Sequence, residues 1–373
     1  MDRLPLAHQT MFADLQQRAA DALFDEQFPE NGAFVQVERG GKFYWYYKGY
    51  RLDPGGQESG RRYMKYVGPV ADTDTTERVR RFTDIKTGYR ERRRLVSSLR
   101  SAGLPTPPPM AGALIEALAR AGLFRLRGVL VGTVAFQAYA GLLGVRMPST
   151  ALMTGDVDIA QFHSVSALLG DTLPPMEPLL RAVDESFRMI PHHADGRAST
   201  AFVNAAGFRV EFLTPNRSAD GHQGKPARMP ALGGASAEPL RYLDFLIFEP
   251  VWSVLLHGGG VSVRVPAPER YAVHKMIVST RRRAEAASQV KKYKDLEQAR
   301  LLIEALVLAD RGEDLGSAWM EAWDRGPKWK AALESARERL EPASGRLLAA
   351  AVRTACRLEG RLADQYGLDD TRL

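Results

Sequence analysis

Two short runs in which acidic and apolar residues alternate constrain the fold more strongly than any other feature. They are Gly155-Asp156-Val157-Asp158-Ile159 and Phe208-Arg209-Val210-Glu211-Phe212-Leu213. A period of two predicts β-strands, because successive side chains of a strand point to opposite faces. Asp156 and Asp158 then share one face, and Glu211 joins them if the two strands are neighbours.

These three carboxylates predict a metal site. Carboxylates side by side repel each other unless a cation lies between them, and hard oxygen ligands favour Mg²⁺ or Mn²⁺. We therefore predict that Asp156, Asp158 and Glu211 are both the catalytic residues and the metal ligands. Two ions roughly 4 Å apart could activate an attacking oxygen and neutralise a triphosphate. An isolated D-x-D motif is more often a solvated strand end, so the prediction depends on all these elements together.

A glycine stands where an apolar strand gives way to a helical pattern. Val129-Leu130-Val131 has the composition of a buried strand, and Gly132-Thr133 follows it. A helix N-terminus offers free N–H groups and the positive end of the dipole, and glycine permits close approach of a phosphate. We predict that Gly132 and Thr133 bind the nucleotide. A plain strand–turn–helix junction capped by Thr133 is the alternative interpretation.

The overall pattern predicts an α+β protein, and 373 residues suffice for two or three domains. We expect a small β-rich N-terminal module with aromatic and basic residues at 1–104, closed by a Pro-rich linker that begins at Pro105. Residues 105–265 should form a mixed sheet with flanking helices, and residues 266–373 a helical bundle.

Individual segments follow from the same periodicity. The first helix is expected at 11–28 and three aromatic strands of an antiparallel sheet at 33–37, 42–50 and 61–67. A turn at Asp53-Pro54-Gly55-Gly56 separates the second strand from the third. The C-terminal helices are expected near 269–283, 289–308 and 328–358. The stretch 214–237 is rich in Gly, Pro and Ser, which predicts a long surface loop.

The chain carries a formal net charge of +7, and part of it is concentrated in residues 77–100. The basic residues of that segment are Arg78, Arg80, Arg81, Lys86, Arg90, Arg92, Arg93, Arg94 and Arg100. Such a stripe could follow a phosphate backbone, as in tRNA or another RNA, or it could be a solvated helix face. The aromatic run Phe43-Tyr44-Trp45-Tyr46-Tyr47 leaves a similar choice between stacking on nucleobases and packing within a small sheet.

Several classes of protein are disfavoured by what the sequence lacks. A single cysteine, Cys356, excludes an intramolecular disulfide and a cysteine metal cluster. No apolar run reaches the roughly 18 residues of a membrane span, and the first ten residues do not have the pattern of a secretory signal. We therefore expect a cytoplasmic protein with no membrane partner.

Taken together, these elements resemble the polymerase-β superfamily of nucleotidyltransferases. That family has an apolar strand, a glycine pair at a helix start, an acidic-x-acidic strand and a third acidic residue on a later strand. Here the corresponding residues are Gly132-Thr133, Asp156-Val157-Asp158 and Glu211. The sequence is also similar to the bacterial branch of AbiEii-type toxins, through Gly132-Thr133-Val134-Ala135, Arg146, Thr150 and Thr154. The family glycine or serine is replaced by Thr133, and the interval from Gly132 to Asp156 is longer than in minimal members.

The resemblance extends over about residues 126–306 and implies roles for two further residues. Lys275, at the end of Pro268-Glu269-Arg270-Tyr271-Ala272-Val273-His274-Lys275, would contact the nucleotide phosphates. Asp295, in Lys294-Asp295-Leu296, would orient basic groups. From the residues alone, a lysine on an amphipathic helix is usually solvated.

The function expected from these features is metal-dependent transfer of a nucleoside monophosphate from an NTP, such as ATP, to a hydroxyl acceptor. The acceptor could be tRNA, another RNA, a protein side chain or a small molecule such as an antibiotic, and the chain could act as a toxin with an antitoxin partner. The alternative is a non-catalytic module of the same fold that binds RNA or a partner protein.

Overall fold

The computed structural model describes residues 1–28, 32–52, 58–82, 88–148, 155–216, 225–281 and 286–368. The N-terminal elements are β1 (Asp2–Arg3), α1 (Leu6–Gln27), β2 (Ala33–Arg39), β3 (Lys42–Leu52), β4 (Glu58–Pro69), α2 (Thr73–Arg80) and α3 (Tyr89–Ser101). The strands β2, β3 and β4 form an antiparallel sheet in that order, as the aromatic alternation predicts. The predicted turn at Asp53-Pro54-Gly55-Gly56 lies outside the described residues.

The aromatic side chains of this small sheet pack on both of its faces. Tyr46 and Tyr66 are buried in the main hydrophobic cluster of the molecule. Tyr47 on the opposite face is fully buried, and its ring packs edgewise against Phe34 and at a tilt against Phe28. The rings of Tyr46, Tyr47 and Tyr66 are therefore used for core packing and are not open to a nucleobase.

The basic segment forms two helices rather than one. In α3, Arg90, Arg93, Arg94 and Arg100 are exposed, whereas Arg92 is buried. In and just after α2, Arg78 pairs with Asp21 (3.4 Å) and Arg81 with Glu77 (3.3 Å). Lys86 lies outside the described residues. The exposed arginines therefore form a basic face on α3.

The central part of the chain contains a mixed sheet. Its elements are α4 (Pro109–Ala121), β5 (Val129–Val131), α5 (Gly132–Gln137), α6 (Tyr139–Leu142), β6 (Val145–Arg146), β7 (Asp156–Ala160), α7 (His163–Leu168), α8 (Met176–Arg181), β8 (Arg188–Ile190), β9 (Ala201–Val203), β10 (Arg209–Pro215), β11 (Ala227–Arg228), β12 (Ser236–Leu240), α9 (Leu243–Leu246), β13 (Val251–Leu255) and β14 (Val261–Val265). The strand order is β11-β12-β10-β7-β5, and β9 pairs with both β10 and β8. Strand β10 is parallel to β7 and β12, whereas β5 is antiparallel to β7. The chain is thus a mixed α/β protein with a mixed sheet, as predicted.

The prediction of a long surface loop at 214–237 is wrong for residues 214–216 and 225–237, which the structure describes. Thr214 and Pro215 still belong to β10, and β11 and the start of β12 lie within the stretch. Met229, Ala231, Leu232 and Ala235 are buried in the main hydrophobic cluster. Gly233 and Gly234, both with positive φ, lie in a tight turn between buried residues instead of in an exposed loop. Residues 217–224 lie outside the described residues.

The chain ends in a group of packed helices. They are α10 (Pro268–Ser279), α11 (Ala286–Leu308), α12 (Gly312–Asp324), α13 (Pro327–Arg337) and α14 (Pro342–Glu359), followed by a 3₁₀ turn at Ala363–Tyr366. The prediction of a single helix at 328–358 is wrong, because this stretch forms two helices, α13 and α14, that are separated before Pro342. A proline inside a helix removes a backbone hydrogen bond and therefore favours such a break. Helix α12 was not expected. The division into 1–104, 105–265 and 266–373 stays a prediction. None of the described helices is long and apolar enough to span a bilayer.

Two glycines of these helices provide a matched test of the packing. A Cβ on Gly316 of α12 would lie 2.7 Å from Cβ of Ala355 in α14, whereas a Cβ on Gly345 of α14 would contact nothing. Gly316→Ala should therefore lower the free energy of unfolding by about 1–3 kcal/mol through overpacking. Gly345→Ala should raise it by up to about 1 kcal/mol, because alanine favours the helix. Urea denaturation measures both changes, and equal effects would contradict the close α12–α14 contact.

Candidate active site

The pairing of β7 with β10 brings the three predicted carboxylates together. The two strands are parallel, with Glu211 opposite Asp158 and Arg209 opposite Asp156. Neighbouring strands lie about 4.8 Å apart, and residues two apart on one strand share a face. Asp156, Asp158 and Glu211 therefore line the same side of the sheet, and all three are half-buried.

Gly132 occupies the end of β5 next to this acidic cluster. Strand β5 is antiparallel to β7 and places Val131 opposite Asp158, so the turn into α5 passes the carboxylate. Gly132 has a φ of +67°, and a Cβ there would overlap the carboxylate of Asp158, whose Cγ would lie 3.1 Å away. Both the backbone conformation and the close approach require glycine. The adjacent Thr133 is buried at the start of α5.

The electrostatics of the cluster are dominated by Asp158. The pKa of Asp158 is raised to about 7, mainly by burial and in addition by the charges of Asp156 and Glu211. Lys275 and Lys291 oppose this increase. The carboxylates thus interact strongly enough to favour a bound cation or a proton.

A cleft of about 1260 Å³ opens above the carboxylates. Its acidic wall is formed by Asp156, Asp158 and Glu211, and Gly132 and Thr133 lie beside them. The opposite wall comes from α10 and α11, which contribute Lys275, Lys291 and Lys294. A basic wall that faces an acidic wall across one cleft can bind a polyphosphate together with cations.

Lys275 and Asp295 form a buried ion pair on this basic wall. The Nζ atom of Lys275 lies 2.6 Å from Oδ1 of Asp295, and their side chains are 12% and 4% exposed. The hydroxyl of Tyr271, one turn before Lys275, donates to the carbonyl oxygen of Gly132 (2.9 Å). Helix α10 is therefore tied both to α11 and to the glycine turn, and the ammonium group of Lys275 has a fixed position.

Sequence reasoning assigned no role to Lys291 or Lys294. Burial lowers the pKa of Lys294, and the neighbouring charge of Lys275 lowers it further, whereas Asp156 and Asp295 oppose that effect. The signal was present in the run Lys291-Lys292-Tyr293-Lys294, because residues three apart on a helix share a face. Which way that face points depends on how α11 packs, which the run does not determine.

Other residues quoted for the resemblance lie elsewhere. Arg146 belongs to β6, which pairs with β1, and does not line the cleft. Thr150 and Thr154 lie outside the described residues. They therefore add nothing to the geometry of the cleft.

The donor set fits a divalent metal in its chemistry, although the side chains are not arranged as ligands. Within the described ranges, no three His, Cys, Asp or Glu side chains converge closely enough to hold an ion as they stand. The Nε atom of Arg209 lies 3.4 Å from Oε1 of Glu211. The backbone register nevertheless aligns Glu211 with Asp158, so carboxylate oxygens, the ligands that Mg²⁺ prefers, lie on one side of the sheet.

A comparison of the sequence with known protein families supports the assignment of the cleft as an active site. A family model described as Nucleotidyltransferase matches residues 109–324, more than half of the chain. The chain belongs to the nucleotidyltransferase family. The matched region contains both walls of the cleft, from Gly132 at the start of α5 to Asp295 on α11. No curated protein and no solved structure gives a significant match to this nucleotidyltransferase chain.

Replacing Asp158 by asparagine should flatten the pH dependence of stability in the metal-free protein. The pKa of Asp158 in the folded chain is about 7, above its ordinary value of 3.8. The Asp158 carboxyl group therefore contributes its full stabilisation of the fold below about pH 3.8, and this contribution is lost as the pH rises through about 7. The loss is at most about 4 kcal/mol, since one pKa unit corresponds to about 1.4 kcal/mol. Urea denaturation in EDTA between about pH 4 and pH 8 should show a steeper decline in wild type than in Asp158→Asn.

A matched control for this measurement is Glu185→Gln, which removes an exposed carboxylate outside the cleft. That variant should follow the wild-type pH profile. Parallel pH profiles for wild type and Asp158→Asn would show that the pKa of Asp158 is not raised as predicted.

Proposed function

We propose that this chain transfers a nucleoside monophosphate from an NTP to a hydroxyl acceptor and releases pyrophosphate. The proposal is supported above all by the two walls of one cleft, because the acidic cluster of β7 and β10 faces the lysines of α10 and α11. Membership of the nucleotidyltransferase family supports the same reaction class. Asp156, Asp158 and Glu211 are the proposed catalytic residues.

The acidic and the basic residues of the cleft have different proposed roles. Asp156 and Asp158, with Glu211, would hold Mg²⁺ or Mn²⁺, which when bound supplies charge neutralisation and activation of the attacking hydroxyl. Lys275, oriented by Asp295, would contact the phosphates, and Lys291 and Lys294 would balance their remaining charge. Gly132 and Thr133, which line the cleft where α5 begins, would seat the triphosphate, and the lack of a side chain at Gly132 lets the turn pass directly beside Asp158.

Finer assignments follow from the resemblance. We propose a polymerase-β-like catalytic domain related to AbiEii-type toxins, with ATP among the candidate nucleotides and RNA or protein as the acceptor. On this proposal the chain works in the cytoplasm and could be paired with an antitoxin. The exposed arginines of α3 favour a polyanionic acceptor.

A second candidate is a non-catalytic module of this family that binds RNA or a protein. It is favoured by one observation: the described carboxylates do not converge as ready-made metal ligands. The two candidates differ in whether nucleotide binding and turnover require Asp156 and Asp158.

A double substitution, Asp156→Ala with Asp158→Ala, should separate the two candidates. For the enzyme, Mg²⁺-dependent binding of each NTP and release of pyrophosphate should fall at least about a hundredfold, because the ligands of the metal are removed. Isothermal titration with each NTP and a pyrophosphate assay measure the two effects. Glu185→Ala is the control and should leave both unchanged. Binding that is indifferent to the double substitution, or absent for every NTP, would support the non-catalytic module.

The toxin assignment makes a separate prediction. Expression of the wild-type chain in a bacterial host should arrest growth, and Asp158→Ala at equal protein level should relieve the arrest, because the arrest would need catalysis. Colony counts after induction, with immunoblots for protein level, measure this. Normal growth with the active enzyme would reject the toxin role and leave the transfer reaction in place.

A further inference from the structure

Tyr293 is the most exposed aromatic side chain among the described residues. Its side chain is 75% exposed on α11, and Val290, one turn earlier, is 71% exposed. Elsewhere in the chain large rings are mostly packed, as Tyr46, Tyr47 and Tyr66 are. Single exposed apolar side chains are ordinary on protein surfaces, but this ring also lines the cleft, where it is available to a ligand.

The surroundings of Tyr293 are basic. Lys291 and Lys294, which share a face of α11, line the same cleft as Tyr293, and Lys292 directly precedes Tyr293 in the sequence. The nearest acidic group on the same face, Glu297, is paired with Arg300 at 2.6 Å. The lysines of α11 can therefore contact the phosphates of a ligand beside the ring, whereas Asp156, Asp158 and Glu211 enter the cleft from β7 and β10.

Position limits what that ligand can be. Tyr293 and Val290 line the same cleft as Asp158 and Glu211, on the opposite wall. A planar membrane does not reach into a cleft, and an acidic peptide would use the lysines without using the ring. A base has a π-face for the ring, and its backbone phosphate suits the lysines.

We propose that Tyr293 is a stacking platform for a single-stranded nucleic-acid acceptor, held there so that its terminal hydroxyl reaches the carboxylate cluster. This inference rests on the proposed function and names the acceptor that the proposed reaction would modify. Single strands are required, because the bases of a duplex are already stacked on each other and present no free face within it.

Binding without nucleotide or metal tests the platform independently of catalysis. The probe is a fluorescein-labelled single-stranded oligoribonucleotide of about ten nucleotides, compared with an abasic chain of the same length by fluorescence anisotropy. Wild type should bind the base-containing strand about tenfold more tightly than the abasic one. Tyr293→Ala should lose that preference, and Tyr293→Phe should keep it because the ring remains.

Phe43→Ala is the matched control, since Phe43 is an exposed ring (52%) on the N-terminal sheet away from the cleft. It should bind both probes as wild type does. Tyr293→Ala lies at an exposed helical position where alanine is favourable, so circular dichroism should match wild type. Equal preference for bases in wild type and Tyr293→Ala, or a Phe variant as weak as the Ala variant, would overturn the stacking role.

The outcomes also separate this inference from the proposed reaction. A Tyr293-dependent preference for bases in a protein that transfers no nucleotide would keep the platform and reject the enzyme. Transfer to an acceptor that is unaffected by Tyr293→Ala would keep the enzyme and reject the platform. A charge-only site would show equal affinity for the abasic strand, and this too would overturn the proposal.

Discussion

The parallel pairing of β7 with β10 is the constraint on which the functional part of the molecule depends. It sets Glu211 opposite Asp158, with Asp156 on the same face, and like charges across neighbouring strands are destabilising. Burial adds to this cost, as the raised pKa of Asp158 indicates. The cost is tolerated because lysines approach from another layer of the structure. The sheet is therefore less stable at this point than an apolar sheet would be, which is typical of sites that bind cations.

Helices α10 and α11 supply the opposing charges at fixed positions. Asp295 is almost fully buried, so it would be costly without a cationic partner, and Lys275 provides one at 2.6 Å. The hydroxyl of Tyr271 connects the same helix to Gly132 O. Helix α10 thus contacts the glycine turn through Tyr271 and contributes Lys275 to the basic wall. A ligand that draws Lys275 toward phosphate would also disturb its contact with Asp295, so ligand binding and helix packing are linked.

The local part of this architecture could be predicted, and the tertiary part could not. Alternation over five residues was enough to predict both strands and the shared face of Asp156 and Asp158, because a strand period is encoded locally. The roles of Lys291 and Lys294 in the basic wall were not predicted, since a helical surface faces a cleft only after the helices have packed. Composition misled at 225–237, where Gly and Pro suggested an exposed loop but Met229 and Leu232 are buried. The pairing that makes Glu211 a neighbour was a hypothesis until the register was known.

The N-terminal elements are packed too closely against the rest to be treated as a simple appendage. Leu15 of α1 shares a hydrophobic cluster with Val254 of β13, and Tyr46 and Tyr66 lie in the cluster that also contains the central sheet. Removing residues 1–104 would expose these partners to water and cost roughly 1.5–3 kcal/mol for each large side chain. Loss of activity in such a deletion would therefore report unfolding as readily as loss of an acceptor site. The role of the basic face of α3 is better separated by neutralising its exposed arginines one at a time, because their side chains contribute charge without supporting the core.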